Sequence, residues 1–556
     1  MAVIAPIADA QTYDAGTAAR EAEQAVEHAP EPPRSGPINL PQLIDPPLTL
    51  EDGETLRVRR FVVKGGEGLV DAAVVRGLLK PYEGRKLTLT QIYEAADRVT
   101  GLYREAGYLV AKAYVPEQDA SGGTLRLKMV PGAYGQVTID NRSLVHSWYV
   151  QGILERHGVR NGALVRKEGL ERAMLLMSDL NGAGMPRSVM GAGRAQGSSD
   201  FLFEVPEEKR VDGFILGDNF GSPYTGRHRA MAGVNVNSLL GLGDRLSAFG
   251  MVSETTDLIN WRFAYAVPLG YDGVKAEAAI FRTTYALGGT FANTQSTGVA
   301  EGASGTLSYP LVRSRDETII VSAGYTYKRL DDQVFDTSIN ERNLGAGIAT
   351  INRQRVGELF GLPYVSSANL GLTIGNVDYP DPLQLAWNQA GADTAGNFRK
   401  LAGGVTVTMA LSEKLSFIVD ARGQKSLSGN LDSSEQLGLT GVYGVRSYNE
   451  GLSGDTGWLI TPKLKYALPA IGDWNHAVSA FADVGGVSLE DGSYTTTQPD
   501  YVSLADIGLG YYGTYEYMSG RMLLLKAYLA HTVGADADAA SYDRGTVGLV
   551  QAGITY

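Results

Sequence analysis

The side chains that most often carry out covalent or metal chemistry are sparse in this sequence. It contains no cysteine, which excludes thiolate catalysis, cysteine-bound zinc and disulfides. No Walker motif G-x-x-x-x-G-K-[ST] is present, so the sequence does not indicate nucleotide hydrolysis. The histidines are scattered and lie outside any H-E-x-x-H or G-x-S-x-G context: His28, His146, His157, His228, His476 and His531. The sequence therefore predicts no enzyme, no metal site and no cofactor.

Composition restricts the class of protein further. The 556 residues are 44% hydrophobic and 20% charged, which allows several domains or one large barrel with attachments. The formal net charge of −12 argues against a nucleic-acid partner, because phosphate neutralisation needs clustered Lys and Arg. No run of about 18 apolar residues occurs, which excludes ordinary transmembrane helices but not membrane β-barrels.

Three short segments precede the main body of the chain. Residues 1–10 end in the small-x-small pattern Ala8-Asp9-Ala10 and are interpreted as a signal-peptide remnant, with a flexible cytoplasmic tail as the alternative. Residues 11–29 are rich in Ala, Glu and Arg and predict a helix that is more polar than a core helix, with Asp14 as its cap. The repeated prolines of residues 30–54 predict an extended linker.

Two small α/β domains are predicted next, at residues 55–132 and 133–208, because the order strand-helix-helix-strand-strand occurs twice at a spacing of about 75 residues. The first comprises Leu56–Lys64, Val70–Leu79, Leu89–Glu105, Leu109–Val115 and Thr124–Val130. The second comprises Gly135–Asp140, His146–His157, Glu168–Leu180, Pro186–Gly191 and Phe201–Val205.

From residue 209 to 556 the pattern of apolar and polar residues is typical of a transmembrane β-barrel. Segments of about ten residues alternate apolar and polar positions between Gly, Asp, Asn and Ser turns, and they predict about 16 antiparallel strands without a helical interlude. Trp261, Phe263 and Tyr265, for example, alternate with Arg262 and Ala264. A soluble sandwich also alternates, but so many consecutive strands favour one closed barrel. Charges such as Arg262, Lys463, Lys465 and Lys526 are then expected to face a polar lumen. The last strand, Gly545–Tyr556, suits an outer-membrane assembly signal.

Several motifs resemble one family, the two-partner secretion transporters (TpsB) of the filamentous-haemagglutinin/haemolysin secretion-activation type. Residues 107–132, GYLVAKAYVPEQDASGGTLRLKMVPG, resemble the second half of that family's first POTRA domain. Residues 217–229, GDNFGSPYTGRHR, resemble its barrel entry, whereas Gly182–Pro186 depart from the Pro-Gly usual in its second POTRA domain. The tetrad Val445, Arg446, Ser447 and Tyr448 resembles the family's Val-Arg-Gly-Tyr/Phe loop tip, with Ser447 in place of glycine, and Phe481, Asp483 and Gly485 match its Phe-x-Asp-x-Gly strand.

The resemblance implies a mechanism without catalysis. The loop carrying Arg446 is expected to fold back into the lumen, where the arginine meets Asp483, and the helix of residues 11–29 is expected to act as a plug. An arginine drawn into a narrow lumen loses hydration, and a bidentate carboxylate offsets that loss best.

The resemblance also implies the partners: a secreted exoprotein with an N-terminal secretion domain, outer-membrane lipid, and the outer-membrane assembly machinery during biogenesis. The POTRA domains would lie in the periplasm of a Gram-negative cell. Whether the exoprotein is an adhesin, a haemolysin or a contact-dependent toxin stays open. We expect capture along an exposed sheet edge of the first domain, or along a helix-strand groove. The residues of that edge are Leu109, Val110, Ala111, Lys112, Ala113, Tyr114 and Val115. An insertase of the same superfamily and a passive porin are the alternatives.

Overall fold

The computed structural model describes residues 13–30, 55–255, 257–448, 452–493, 500–534 and 545–556. The proposed signal remnant at residues 1–10 and nearly all of the linker at residues 30–54 lie outside these ranges. The first described element is a helix, α1 (Ala15–Glu27), whose first turn is capped by Asp14 because its carboxylate accepts from the Thr17 amide at 2.8 Å. The predicted helix and its cap agree with the structure.

The first α/β unit packs two helices on a three-stranded sheet. Its elements are β1 (Thr55–Val58), β2 (Arg60–Lys64), α2 (Ala72–Leu79), β3 (Arg85–Thr88), α3 (Leu89–Glu105), β4 (Lys112–Tyr114) and β5 (Thr124–Val130). Strand β5 is central, parallel to β2 and antiparallel to β4. The prediction of a single strand over Leu56–Lys64 is wrong, because the strand is interrupted at Arg59. The part before Arg59, β1, pairs with β3, whereas the part after it, β2, pairs with β5. The predicted bounds of α3 and β5 agree with the structure.

The second unit repeats the same topology. It contains β6 (Ala133–Asn141), α4 (Ser147–Arg156), α5 (Lys167–Ser178), β7 (Arg187–Ala192) and β8 (Ser198–Val205). Strand β8 is central, parallel to β6 and antiparallel to β7, so the predicted internal repeat is one of pairing as well as of element order. Its core packs α4 and α5 on Phe201 and Phe203 of β8.

Sixteen strands close a barrel around a lumen, in agreement with the predicted number. They are β9 (Val211–Asp218), β10 (Arg229–Asn237), β11 (Arg245–Ser253), β12 (Leu258–Leu269), β13 (Val274–Ala286), β14 (Ser296–Arg313), β15 (Glu317–Val334), β16 (Thr337–Leu359), β17 (Leu362–Asp378), β18 (Gly396–Ala410), β19 (Leu415–Ser426), β22 (Thr456–Ala467), β23 (Trp474–Ser488), β24 (Tyr501–Met518), β25 (Arg521–Thr532) and β26 (Thr546–Thr555). Every neighbour is antiparallel, and β26 closes on β9 with Ile554 opposite Ile215. Closure leaves no exposed sheet edge, which a membrane requires.

The sequence suggested strands without a helical interlude, and this is wrong at one loop. Helix α6 (Pro382–Ala390) lies between β17 and β18, where Asp381 caps it and Pro382 occupies its first position. A second long loop, residues 427–455, contains a 3-10 turn at Ser433–Glu435 and a two-residue hairpin of β20 (Leu437–Gly438) and β21 (Ser453–Gly454). No helix within the described ranges is long and apolar enough to cross a membrane.

The second unit docks directly on the turns at its end of the barrel. Arg313 donates to both oxygens of Asp179 at 2.7 and 2.8 Å, and Arg172 donates to the Pro310 carbonyl at 2.7 Å. Arg156 meets Asp272 at 2.8 Å, and this bond lowers the pKa of the Asp272 carboxyl. The two longest loops, with α6 and with β20–β21, leave the opposite, far end of the barrel.

Candidate functional site: the folded-back loop and the helix in the lumen

The long loop 427–455 folds back into the barrel and places its tip beside Asp483 of β23. Nη1 of Arg446 lies 3.0 and 2.8 Å from the two carboxylate oxygens of Asp483, and the Asp483 side chain is fully buried. Thr461 of β22 donates a further bond to Asp483 at 2.6 Å. The expected fork of two nitrogens is not what forms, because Nη1 alone contacts both oxygens.

The Arg446 guanidinium also contacts two aromatic rings. Its central carbon lies 4.3 Å from the Phe481 ring centroid and 5.1 Å from that of Tyr528, so two aromatic rings flank the cation. Such contacts contribute about 0.5–2 kcal/mol each, more when they are desolvated. Phe481 therefore has a role in this motif beside Asp483, whereas Tyr528 of β25 carries no signal in the sequence.

Ser447, the residue at the position where the family resemblance predicts glycine, sits in ordinary backbone conformation. It is not among the described residues other than glycine whose φ is positive. Its amide donates to Asp506 of β24 at 2.7 Å, and its hydroxyl accepts from Thr532 at 3.2 Å. The serine thus adds a contact to the barrel wall without left-handed strain.

Sequence reasoning missed Asp506. It lies directly across the strand pair from Asp483, so two buried carboxylates face one guanidinium. One oxygen of Asp506 accepts from Ser447, and the other has no hydrogen-bond partner among the described residues. In β24, Asp506 precedes Gly508 and Gly510 at two-residue spacing, on the same face of the strand. A carboxylate at the start of such a glycine pattern is the sequence signal that could have identified Asp506.

Apolar packing holds the tip of the loop against the barrel wall. Val445 and Tyr448 are buried against Val487 and Leu504 of the barrel wall, together with Leu439, Leu452, Leu459 and Val502. Gly485 of the Phe-x-Asp-x-Gly strand makes room for this contact, because a β-carbon there would lie 2.8 Å from Leu439 Cδ1. Residues 449–451, which follow the tip, lie outside the described ranges.

Helix α1 lies inside the barrel, between its wall and the folded loop. Its buried side is almost entirely alanine and faces Leu258, Tyr285 and Leu330. On the other side, Gly16 contacts the 3-10 turn so closely that a β-carbon would come within 2.6 Å of the Ser434 amide. His28 stacks on Tyr443 of the loop, with ring centroids 3.8 Å apart.

A fully buried arginine connects helix, wall and loop. Arg342 of β16 donates to Asp14 of the helix and to Asp332 of β15, each at 2.8 Å, and also to Asp432 of the loop. Asp332 accepts in addition from the amide of Ala15 at 2.7 Å, so the helix N-terminus rests on a wall carboxylate. Removing Arg342 would leave three carboxylates without their shared cation, whereas loss of Asp14 would leave Arg342 paired with Asp332 and Asp432.

A second ion cluster, buried except for Glu23, links the same three parts further along the helix. Lys328 of β15 contacts Glu23 of α1 and Glu435 of the loop, each at 3.2 Å, and Lys400 of β18 contacts Glu435 at 2.9 Å. These residues, like Arg342, are far apart in sequence and were not predicted.

The strand predicted at Leu109–Val115 is shorter than expected, and its role in capture stays a prediction. The strand is only Lys112–Tyr114, because the chain turns at Tyr108–Ala111. Leu109 and Val110 pack against the core of the second unit instead. Helix α3 covers the rest of the edge: Thr100 accepts from the Ala113 amide at 2.9 Å, and Arg104 donates to the Ala111 carbonyl at 3.0 Å.

The chemistry of the lumen is that of polar contact. Among the described residues no group of His, Asp or Glu is arranged to hold a metal ion. The candidate site is a set of reversible ion pairs and hydrogen bonds that keeps a helix and a loop inside a closed barrel.

Comparison with known proteins agrees with this architecture. The family model of the haemolysin secretion/activation protein ShlB/FhaC/HecB matches residues 197–513, more than half of the chain, and that of the POTRA domain, ShlB-type, matches residues 56–132. The haem/haemopexin transporter protein HuxB of Haemophilus influenzae (strain 86-028NP) is 26% identical over 78% of this chain and 76% of its own. The outer membrane transporter CdiB of Escherichia coli O6:K15:H31 (strain 536 / UPEC) is 23% identical over 75% and 70%.

Solved structures share the fold. CdiB from Escherichia coli superposes with a TM-score of 0.76 at 19% identity, covering 99% of this chain and 100% of that one. BamA from Haemophilus ducreyi lacking POTRA domains 1–3 gives a TM-score of 0.52 at 15% identity, covering 90% and 100%. The α/β units are accordingly periplasmic, and the far end of the barrel is extracellular. This chain belongs to the ShlB/FhaC/HecB family of haemolysin secretion/activation proteins, outer-membrane β-barrel transporters that secrete partner exoproteins.

Proposed function

We propose that the chain captures an unfolded exoprotein by an N-terminal secretion domain in the periplasm, and passes it through the lumen after α1 has left. The observation that carries this proposal is the way α1 is held. Its polar contacts are ion pairs and hydrogen bonds, and its apolar contacts are mostly alanine methyl groups, which bury little area. Water can replace the contacts that α1 makes with the wall and the loop. The helix can therefore leave the lumen while the sixteen strands stay paired as a closed barrel.

The Arg446 contact is proposed to fix the loop against β23 while α1 is exchanged for the exoprotein. Arg446, with Val445, Ser447 and Tyr448 around it, belongs to the packed wall side of the loop, whereas the Ser433–Glu435 turn faces the helix. The proposal divides the loop into a fixed tip and a helix-contacting turn. No covalent step takes place, and folding of the exoprotein outside the cell supplies the driving force.

Capture is proposed at strand β7 of the second POTRA unit. β7 is the outer strand of its sheet and pairs only with β8 on its inner side, and Val189 is 53% exposed there. An extended peptide can add to such an edge through backbone hydrogen bonds. The segment Leu109–Val115 is the weaker candidate, because α3 and the second unit already occupy it. The assembly machinery is proposed to recognise β26 during biogenesis.

A disulfide tether tests the exit of α1. The chain has no cysteine, and the Ser433 hydroxyl donates to Asp14 Oδ2 at 2.5 Å, so Asp14→Cys/Ser433→Cys places two thiols where the side chains meet. We expect the oxidised pair to block secretion, and a reductant to restore it to the level of the two single-cysteine controls. Secretion that continues through the oxidised pair would show that the exoprotein does not need the space of α1.

Deletion of residues 11–28 gives a second, electrical test. The resting conductance of the reconstituted pore should rise, because the described part of this segment fills the lumen beside β13–β15. Secretion should persist, since the helix only blocks the path. An unchanged conductance would mean that α1 is no plug.

A further inference from the structure

A group of lysines lines the lumen on the periplasmic side of the Arg446 tip, and no carboxylate of the described residues pairs with them. Lys463 and Lys465 of β22 face Phe481 and Ser479 of β23 across the strand pair, on the inward side that also carries Asp483. Lys526 of β25 lies opposite Tyr512 of β24. Because β22 runs from the extracellular to the periplasmic end, these positions lie on the periplasmic side of Asp483.

The three ammonium groups gather around one tyrosine. Lys465 Nζ is 4.7 Å and Lys463 Nζ 5.8 Å from the Tyr512 ring centroid. Within the described ranges, neither these two lysines nor Lys526 forms an ion pair with a carboxylate. The strand register brings the carboxylate of Asp420, on neighbouring β19, into the region of Lys463, diagonally across the strand pair. This carboxylate accepts a hydrogen bond from the Thr406 hydroxyl. Lysines higher in the lumen differ, because Lys328 and Lys400 both reach Glu435.

Two buried hydroxyls at the same place have unused hydrogen-bonding capacity. The buried Tyr512 hydroxyl lies near Ser479, Lys463 and Tyr528, but neither it nor the Ser479 hydroxyl makes a hydrogen bond of good geometry with a described residue. Ser479 itself is only 5% exposed. Buried polar atoms of this kind normally have a partner, and a water, an ion or a ligand can supply it. Gly510 keeps the space beside them free, because a β-carbon there would lie 2.6 Å from Ser479 Oγ.

We propose that Lys463, Lys465, Lys526, Ser479 and Tyr512 form an anion-binding site in the wall of the lumen, which takes an oxyanion group such as a carboxylate or a phosphate. Three ammonium groups can only donate, and each of the two hydroxyls can turn its O–H toward the ligand, so all five groups can donate to an oxyanion. α1 packs on β13–β15 across the lumen, so the site does not depend on the helix. The anion is either a free ion of the periplasm or a carboxylate of a passing chain.

Binding to the detergent-solubilised full-length chain tests the site without requiring secretion or an open pore. Phosphorus-31 NMR titration with inorganic phosphate measures the small anion, and fluorescence titration with a short polyglutamate peptide, compared with polyglutamine, measures the carboxylate of a chain. At a contact of about 4 Å even a water-like dielectric gives about fivefold per charge. Each of Lys463→Gln, Lys465→Gln and Lys526→Gln should therefore weaken binding by about fivefold, and high salt should weaken it further.

Two more variants separate charge from shape. Gly510→Ala removes no charge but fills the space beside Ser479, and it should weaken phosphate binding as well. Lys414→Gln, in the exposed periplasmic turn before β19, is the matched control and should change nothing. Heat-modifiability on gels checks that each barrel is folded.

The outcomes divide cleanly. Phosphate binding that depends on the lysines, with no preference for polyglutamate over phosphate, supports a site for free ions. Tighter lysine-dependent binding of polyglutamate supports recognition of acidic side chains on a passing chain. Binding that is absent, or that the triple lysine variant retains in full, overturns the proposal whether or not the transport mechanism is right.

Discussion

Replacing Arg446 by alanine should abolish secretion while the barrel still assembles. The substitution leaves Asp483 buried without its cation and directly across the strand pair from Asp506, a second carboxylate. Breaking a buried pair in this way costs about 3–5 kcal/mol. The stacking on Phe481 and Tyr528 adds about 0.5–2 kcal/mol to that loss. Since about 1.4 kcal/mol is a factor of ten, the equilibrium constant for docking of the tip should fall by at least about 100-fold.

The reverse variant should be milder. Asp483→Ala strands the guanidinium, but Asp506 has an oxygen without a partner in the described part of the chain and can approach the cation. The double variant should cost less than the sum of the two singles, because once one partner has gone the second removes little more. Arg446→Lys should be intermediate: a lysine can replace the single Nη1 contact but not the larger guanidinium group that contacts Phe481 and Tyr528.

Two readouts are needed for this series. The amount of secreted exoprotein reports function, and protease cleavage of the loop in intact cells reports whether the tip is docked, with heat-modifiability as the folding control. Arg355→Ala on exposed β16 is the matched control arginine and should behave as the parent chain. If Arg446→Ala secretes normally with a protease-resistant loop, the Arg446–Asp483 contact is only a solvated pair worth under about 1 kcal/mol, and the reasoning fails.

Three further outcomes are expected. Gly16→Val should push α1 off the loop, because even a β-carbon would lie 2.6 Å from the Ser434 amide, and it should raise pore conductance, whereas Glu27→Gln on the exposed helix end should not. Proline at successive positions of Arg187–Ala192 should reduce exoprotein affinity, measured by binding to the full chain, only at the alternate positions whose amides face the open edge; a uniform or absent effect would exclude edge pairing at β7. Burial lowers the pKa of His157 from its usual 6.5, and the nearby Arg172 and Arg156 lower it further. Asp272 and the Tyr271 carbonyl act in the opposite direction, but the net shift of the pKa is downward. With the second α/β unit docked on the barrel turns, the chain therefore binds fewer protons than with that unit released, so the docking of this unit is strongest above that pKa and weakens as pH falls below it. Hydrogen exchange of the barrel turn 270–273, compared at about pH 7.5 and about pH 5.5, should show this weakening, and His157→Gln should remove it.

Local signals in the sequence were enough for much of the architecture. Strand alternation has a period of two, so sixteen consecutive apolar-polar segments could be recognised without knowledge of their partners. Asp14 could be identified as a cap, and α3 bounded at Leu89 and Glu105, because capping and helical spacing involve residues within a few positions of one another. Arg446 and Asp483 were found through short motifs, each readable by itself.

What the tertiary structure alone decided depends on residues that are distant in sequence. Arg342 joins Asp14, Asp332 and Asp432 from a helix, a wall strand and a loop, and no local pattern shows that these four residues meet. The segment Leu109–Val115 has the alternation of a free edge, but α3 and the second unit cover it. The sequence determines which residues can form a strand, a cap or a charged contact. Which of them remain exposed, and which become buried partners, is determined by packing between distant segments, because burial and ion pairing depend on the whole surface around a side chain.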